Sequence, residues 1–228
     1  ASLSDMKRDA LENCAFYDVV KDELVACEKY NRLEDIGEIP SPYLTGVLDE
    51  FFNGNLMPLI ETNRGCPYSC IYCAWGNASQ KKIFQFPIER VKNEIEYIAK
   101  RVSGAGLLIV CDANFGIFER DIEIAEFMKH TSELYGYPKD IFMALAKTGP
   151  DRILKIADIL KGITGISSAF GSFQTTDPQV MSNIKRTNFS FEEFKAIQEY
   201  FIRKNISVSS ELILGLPGET KESHLGGL

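Results

Sequence analysis

Five short apolar runs, each followed by an amphipathic stretch, set the tightest limit on how this chain can fold. They are LMPLIET (56–62), GLLIVCD (106–112), IFMALA (141–146), GISSAFGSF (165–173) and SSELILG (209–215). Their starts lie roughly 25 to 50 residues apart, the length of a strand with a returning helix. Between the runs, Val91, Ile95, Ile98 and Val102 follow one another at steps of four, three and four, which makes a single helical stripe. Ile153, Ile156, Ala157 and Leu160 make another. Ser190 and Glu193 have the spacing of a capping box ahead of Phe194, Ile197 and Phe201. A strand–helix–strand series with right-handed crossovers builds a parallel sheet. The expected fold class is therefore α/β: an incomplete parallel (β/α) partial TIM barrel of about five to six strands, open on one side.

Before the series, residues 4–30 carry Leu11, Ala15, Val19, Val20 and Leu24 near helical spacing and are expected as a helical extension. IGEIPSPYLTG (36–46) has two prolines and two glycines and reads as a linker. The expected organisation is thus 1–40 as helical extension and linker, and 41–228 as the barrel. The last residues, ETKESHLGGL, fall where a helix after the fifth run should lie. A C-terminal truncation is expected, with a missing domain or a partner chain completing the barrel.

With 228 residues, 45% of them apolar, the chain has enough apolar surface for one substantial core. Lys and Arg total 25 against 32 for Asp and Glu, a net charge of −7, so nucleic acid is not indicated. No apolar run is long enough to span a membrane. The opening ASLSDMKRDALENC lacks the basic-then-apolar order of a secretory signal, and the expected location is cytoplasmic. Of the six cysteines, Cys14, Cys27 and Cys111 are scattered and are expected as small buried hydrophobes.

The other three stand in ETNRGCPYSCIYCAWGNAS, directly after the first run. Cys66, Cys70 and Cys73 have the spacing Cys-x3-Cys-x2-Cys. Thiolates are the ligands iron–sulfur clusters use, and a tight loop can bring three around one cubane. Three ligands leave one iron of a [4Fe–4S] cluster open for chemistry, by the logic of open catalytic metal sites. Structural zinc is an alternative, but it would want a fourth ligand, and the only histidines, His130 and His224, sit in no paired motif. A dithiol switch is another alternative, although three cysteines in so short a loop suit it poorly. The spacing favours the cluster over both.

Cys-x3-Cys-x-aromatic-Cys after the first strand of a βα series resembles the radical S-adenosylmethionine (SAM) superfamily. The likeness extends over about residues 40–220. It implies that the open iron chelates the amino and carboxylate groups of SAM, and that one electron from the reduced cluster cleaves the cofactor to a 5′-deoxyadenosyl radical. Tyr72 takes the aromatic position that lies against the adenine in the family. ELILGLPGET is similar to the family's fifth strand, which implies that Ile213 and Gly215 form an adenine wall. FGSFQTTDPQVMSNIKRTN resembles a Gln-helix-Arg pattern shared with coproporphyrinogen dehydrogenases and methylthiotransferases. That likeness gives Gln174 and Glu211 the ribose hydroxyls and Arg186 the cofactor carboxylate. The second strand departs from the pattern: CDANFGIFERD replaces the usual Gly-Gly-Glu. Asp112 and Asn114, at that strand's C-terminal end, are assigned to the methionyl amino group, with a cap for the next helix as the alternative.

PSPYLTG followed by PLIETNRGCPYSC looks like the linker and barrel of cobalamin-associated radical SAM proteins. Cobalamin is therefore an implied cofactor, although no cobalamin domain or ligand motif is visible. Two enzyme readings follow, radical hydrogen abstraction and cobalamin-assisted methylation, beside a third in which the chain is a cluster-binding scaffold. The resemblance implies a small-molecule substrate and a reductant such as flavodoxin or ferredoxin. No catalytic residue beyond the cofactor ligands is identified.

Overall fold

The computed structural model of the chain describes residues 14–26, 33–54, 56–76, 81–163, 166–169, 172–204, 206 and 210–228. It divides into two compact units, Ala1–Ile36 and Gly37–Leu228.

In the first unit the described segment is an antiparallel hairpin of β1 (Ala15–Asp18) and β2 (Glu23–Ala26), not the expected helix. The reason is local. Asp18 Oδ1 accepts from the amides of Val20 (2.9 Å) and Lys21 (3.2 Å), and Asp22 adopts a left-handed φ of 57°. An aspartate that bonds the backbone two and three residues on nucleates a turn in place of a helical step. The rest of the expected helical extension lies outside the described residues.

The second unit is built on a parallel sheet of β3 (Leu59–Ile60), β6 (Leu107–Phe115), β7 (Asp140–Leu145) and β8 (Ile166–Ala169), in that spatial order. These strands match four of the five apolar runs. The fifth contributes a single parallel bridge, Gln174 to Leu212, among the described residues. Residues 207–209, where that run begins, lie outside them. Gln174 has a φ of 67°, which turns the backbone away from a continued ladder at that point.

Helices α1 (Ile88–Ala99), α2 (Arg120–Tyr135), α3 (Pro150–Ile159) and α5 (Phe191–Arg203) pack in chain order, α1 on α2, α2 on α3 and α3 on α5. The expected stripes are the buried ones: Val91, Ile95 and Ile98 on α1, and Ile153, Ile156 and Ala157 on α3. Leu160 is buried just past the end of α3. The capping box of Ser190 and Glu193 opens α5. Period-2 alternation on the strands supplies the other half of the core: Leu108, Val110, Ile141, Met143 and Leu145 are buried. Met143 and Leu145 face Ile156, Ala157, Leu160 and Phe201. The other side of the sheet is open, with Leu59 52% and Phe142 42% exposed in one cross-strand row through Ile109. Cys111 projects with that alternation and is exposed, as is Cys14; neither is the buried hydrophobe expected, and Cys27 lies outside the described residues. No described helix is long and apolar enough to cross a membrane.

One irregularity positions the site. On β6 the pairing with β7 runs through Val110↔Met143 and resumes at Phe115↔Leu145. The stretch 111–114 on β6 therefore faces only Ala144 on β7. The alternation of buried residues is kept through this irregularity, so Asp112 and Asn114 follow Leu108 and Val110 on one face, beyond the point where regular pairing with β7 stops. Immediately after it, Gly116 turns the chain with a φ of +90°. A Cβ there would stand 2.7 Å from Ile153 Cδ1 and 3.2 Å from Ile156 Cδ1. Gly116→Ala combines backbone strain with overpacking and is expected to lower unfolding free energy by about 1–3 kcal/mol in urea melts.

Candidate active site

The cysteine loop leaves the sheet through β4 (Asn63–Arg64) and returns through β5 (Phe84–Gln85). These two strands pair antiparallel, Asn63 with Gln85 and Arg64 with Phe84, so the excursion is closed at its root by a two-residue ladder. The Phe86 amide adds a bond to Thr62 O at 3.0 Å. Beneath this root lies Asp112, 2% exposed. Its Oδ1 accepts from the amides of Thr62 (2.7 Å) and Asn63 (3.2 Å). Its Oδ2 accepts from Asn63 Nδ2 at 2.7 Å and from the Thr62 hydroxyl. Burial pushes the carboxyl up to about 7, against the opposing pull of these donors. Both oxygens thus meet donors of the loop's root. The bonds to Gly116 N (2.9 Å) and Phe118 N (3.0 Å) ahead of α2 are made by Asp121.

Asn114, also 2% exposed, stands next along the bulge. Its Nδ2 donates to Cys66 Sγ at 3.3 Å, and its Oδ1 accepts from Lys147 Nζ at 2.9 Å. Lys147 is a site residue that the hydrophobic pattern did not single out. The available signal was its place as the first charge beyond the C-terminal end of the third run, where barrel sites form. Burial, then the neighbouring Arg186, push its ammonium below the usual lysine range; the thiolates of Cys66, Cys70 and Cys73 pull the other way. Beside it, Tyr68 OH shares a hydrogen bond with Thr148 Oγ1 at 3.1 Å.

The loop's far side is tied to α4 (Pro178–Asn183). Ile71 N donates to Ile184 O at 3.1 Å, and Tyr72 packs on a cluster of Val180, Ile184 and Leu216 together with Ile213. Arg186 gathers this side. Its Nη1 donates to Tyr72 OH at 2.5 Å and lies 4.0 Å from Cys70 Sγ. Its Nη2 donates to Ser172 O, and its Nε to Asn188 Oδ1 at 2.8 Å. Tyr72 is raised above the ordinary tyrosine range, chiefly by burial. Ser172 Oγ in turn donates to Glu211 Oε2 at 2.7 Å. The Gln174 and Glu211 backbones meet through Gln174 N to Glu211 O at 2.8 Å, and Ile213 N returns to Gln174 O at 2.9 Å. Two contact sets therefore hold the loop: Asn114 with Cys66 and Lys147, and Arg186 with Cys70 and Tyr72. Gln174, Glu211 and Ile213 form an adjoining strand-edge group. Gly215 is set apart in an exposed turn, where its amide donates to Glu219 Oε2 at 2.7 Å.

Among the described residues, no three His, Cys, Asp or Glu side chains gather as ligands to one metal ion. That counts against zinc. In a cubane each thiolate binds a different iron, so the sulfurs need not converge on one point. Cys66 and Cys70 are buried, and an amide N–H and a guanidinium lie against their sulfurs, an environment that suits the thiolate ligands of a cluster.

Comparison with known proteins agrees with this chemistry. The model of the Radical SAM superfamily matches residues 60–225. A cobalamin-dependent radical SAM methyltransferase, TokK, of Streptomyces tokunonensis is 38% identical over 218 residues, covering 90% of this chain and 31% of that protein. A 2-(S-pantetheinyl)-carbapenam-3-carboxylate methyltransferase of Streptantibioticus cattleyicolor is 40% identical over 218 residues, with the same two coverages. The chain thus spans about a third of the length of these relatives. Among solved structures, TsrM of Kitasatospora setae, a radical SAM methyltransferase with cobalamin and a [4Fe–4S] cluster bound, superposes with a TM-score of 0.63. Its identity is 21%, and the match covers 78% of this chain and 32% of that one. The cobalamin-dependent radical enzyme OxsB superposes at 0.64 with 13% identity, covering 98% of this chain and 32% of that one. At these identities the structural likeness speaks for the α/β fold with a parallel sheet.

The buried carboxyl sets a pH dependence. Because Asp112 is raised in the folded state, its contribution to stability is full below its unfolded value of 3.8 and is lost as pH rises to about 7. Urea midpoints of the native chain relative to Asp112→Asn are expected to fall across that window. A difference that does not change with pH contradicts the assignment.

Proposed function

The chain belongs to the radical SAM superfamily, and from that premise we propose that it is the cluster- and SAM-binding part of a cobalamin-dependent radical SAM methyltransferase. The family binds a [4Fe–4S] cluster and SAM. The observation that carries the site reading is the convergence of Arg186 on Cys70 and Tyr72, which brings the cofactor's expected carboxylate partner to the cluster loop. The two relatives at 38% and 40% identity, both methyltransferases, favour methyl transfer over hydrogen abstraction as the overall outcome. The four-stranded sheet with the Gln174–Leu212 bridge is read as the first five strands of the partial barrel. Residues 41–228 carry that barrel.

In this reading Cys66, Cys70 and Cys73 hold the cluster, which when bound supplies the electron for opening the sulfonium of SAM. Arg186 meets the cofactor carboxylate, since a guanidinium pairs a carboxylate bidentately. Tyr72 and Ile213, already packed together on the Val180 cluster, form the apolar seat of the adenine, and Gly215 leaves its approach unobstructed. Gln174 and Glu211 face the ribose hydroxyls as acceptors. Asp112 and Asn114 hold the loop in place. Cobalamin, a small-molecule substrate and a protein reductant are the remaining participants.

The test is anaerobic reconstitution with iron and sulfide, reduction with dithionite, and EPR and product analysis after adding SAM. Four irons per chain, SAM-dependent perturbation of the cluster's EPR signal and reductive cleavage of SAM are expected. Failure to assemble a cluster, or a cluster signal that ignores SAM, would overturn the proposal. Arg186→Lys, which keeps the charge and loses the fork, is expected to raise the SAM Kd about tenfold, about 1.4 kcal/mol, with iron content unchanged.

A further inference from the structure

We propose that Lys147 and Asn114 are a positioning pair that raises the reduction potential of the cluster through one N–H···S hydrogen bond to Cys66. The inference rests on the cluster reading above and concerns how this chain tunes the group it holds.

The geometry has a built-in direction. An ammonium donates three hydrogen bonds and accepts none. The atom of Asn114 that meets Lys147 Nζ at 2.9 Å must therefore be the carbonyl oxygen, which leaves the amide NH2 turned to Cys66 Sγ at 3.3 Å. Lys147 decides which way the amide points. Neither residue has freedom to do otherwise: Asn114 lies in the β6 bulge at 2% exposure, and Lys147 follows the end of β7 with its ammonium 5.8 Å from the Tyr68 ring centroid. No described carboxylate is paired with Lys147, and it stands beside the cysteine loop. A half-buried cation without a carboxylate partner is unfavourable unless other negative charge offsets it. A cluster with three thiolates supplies that charge, and the more so when reduced.

Hydrogen bonds to cluster sulfurs and nearby charge are two of the means by which a protein sets cluster potential. An N–H directed at Cys66 Sγ draws electron density from the sulfur and favours the reduced cluster. The ammonium acts in the same direction, by fixing the amide and by its own field. Arg186, on the other side at 4.0 Å from Cys70 Sγ, gives the loop a second cation that is assigned to SAM and is not part of this pair.

The test is an EPR-monitored redox titration of the reconstituted full chain without SAM, with iron and sulfide measured on every sample. Lys147→Met, similar in length but with no donor, is expected to shift the midpoint potential to more negative values at unchanged iron content. Lys147→Arg, which still donates to Asn114, is expected to restore most of the shift. Asn114→Asp, the same size with no N–H for the sulfur, should shift it in the same direction as Lys147→Met. An unmoved potential in Lys147→Met and Asn114→Asp would overturn the proposal while leaving the cluster reading intact. So would equal shifts, or equal loss of iron, in the Met and Arg variants of Lys147, because that marks a packing role. No cluster in the unaltered chain would overturn both readings together.

Discussion

The carboxylate of Asp112 is where the cysteine loop is attached to the sheet, and the rest of the site depends on that attachment. A loop running from β4 to β5 and closed by only two residue pairs would be poorly determined by its ladder alone. Two backbone amides, a hydroxyl and a side-chain amide all converge on one buried side chain of the neighbouring strand. Four donors on one carboxylate fix the direction in which the chain leaves β3. Burying that carboxylate is unfavourable, as its raised pKa records, and the donors offset part of the penalty. Asp112 and Asn114 continue the buried face of Leu108 and Val110 past the point where regular pairing with β7 stops, which sets polar side chains at the strand's C-terminal end beside the loop.

From that root the loop is held at successive points by β6 and by the end of α4. Asn114 of β6 reaches Cys66, Arg186 beyond α4 reaches Cys70 and Tyr72, and Ile184 accepts from Ile71. Each contact comes from the C-terminal side of the sheet, where successive strand ends and the loops after them converge in a parallel α/β fold. The chain is acidic overall, yet among the described residues two cations stand at the cysteines, Arg186 beside Cys70 and Lys147 behind Asn114. The local field is thus opposite in sign to the chain's net charge of −7, and it favours both bound thiolates and an anionic cofactor group.

Much of this was legible in the residues, and what was not has physical causes. The strand runs and helical stripes were readable because burial on one face imposes a period, and Val91, Ile95, Ile98, Ile153 and Ile156 are buried as that period requires. The cysteine spacing named the cluster because few other uses of three thiolates tolerate so short a loop. The hairpin at 15–26 was hidden because Val19, Val20 and Leu24 imitate helical spacing, while the deciding signal was an aspartate that bonds its own backbone. The place of Asp112 was hidden for a different reason. A polar residue at a strand's C-terminal end looks like a ligand for something beyond the sheet, and only the fold shows that Thr62 and Asn63 stand against it. Lys147 was invisible to periodicity because its role depends on its partner, 33 residues away in sequence.

The division of labour between Asp112 and Asn114 follows from their alternation on β6. Asp112 and Asn114 are two residues apart, a spacing that places alternate side chains on one face of a strand. On this chain that face meets the loop twice, once at its root and once at its first cysteine. A carboxylate suits the root, because everything it meets there is a donor. An amide suits the cysteine, because it must donate to sulfur on one side and accept from an ammonium on the other. Exchanging the two side chains would leave a carboxylate against Cys66 and an amide beneath four donors, so each residue type answers to the polarity of what it touches. Asp112 and Asn114 together thus brace the loop from one strand, at its root and at its first cysteine.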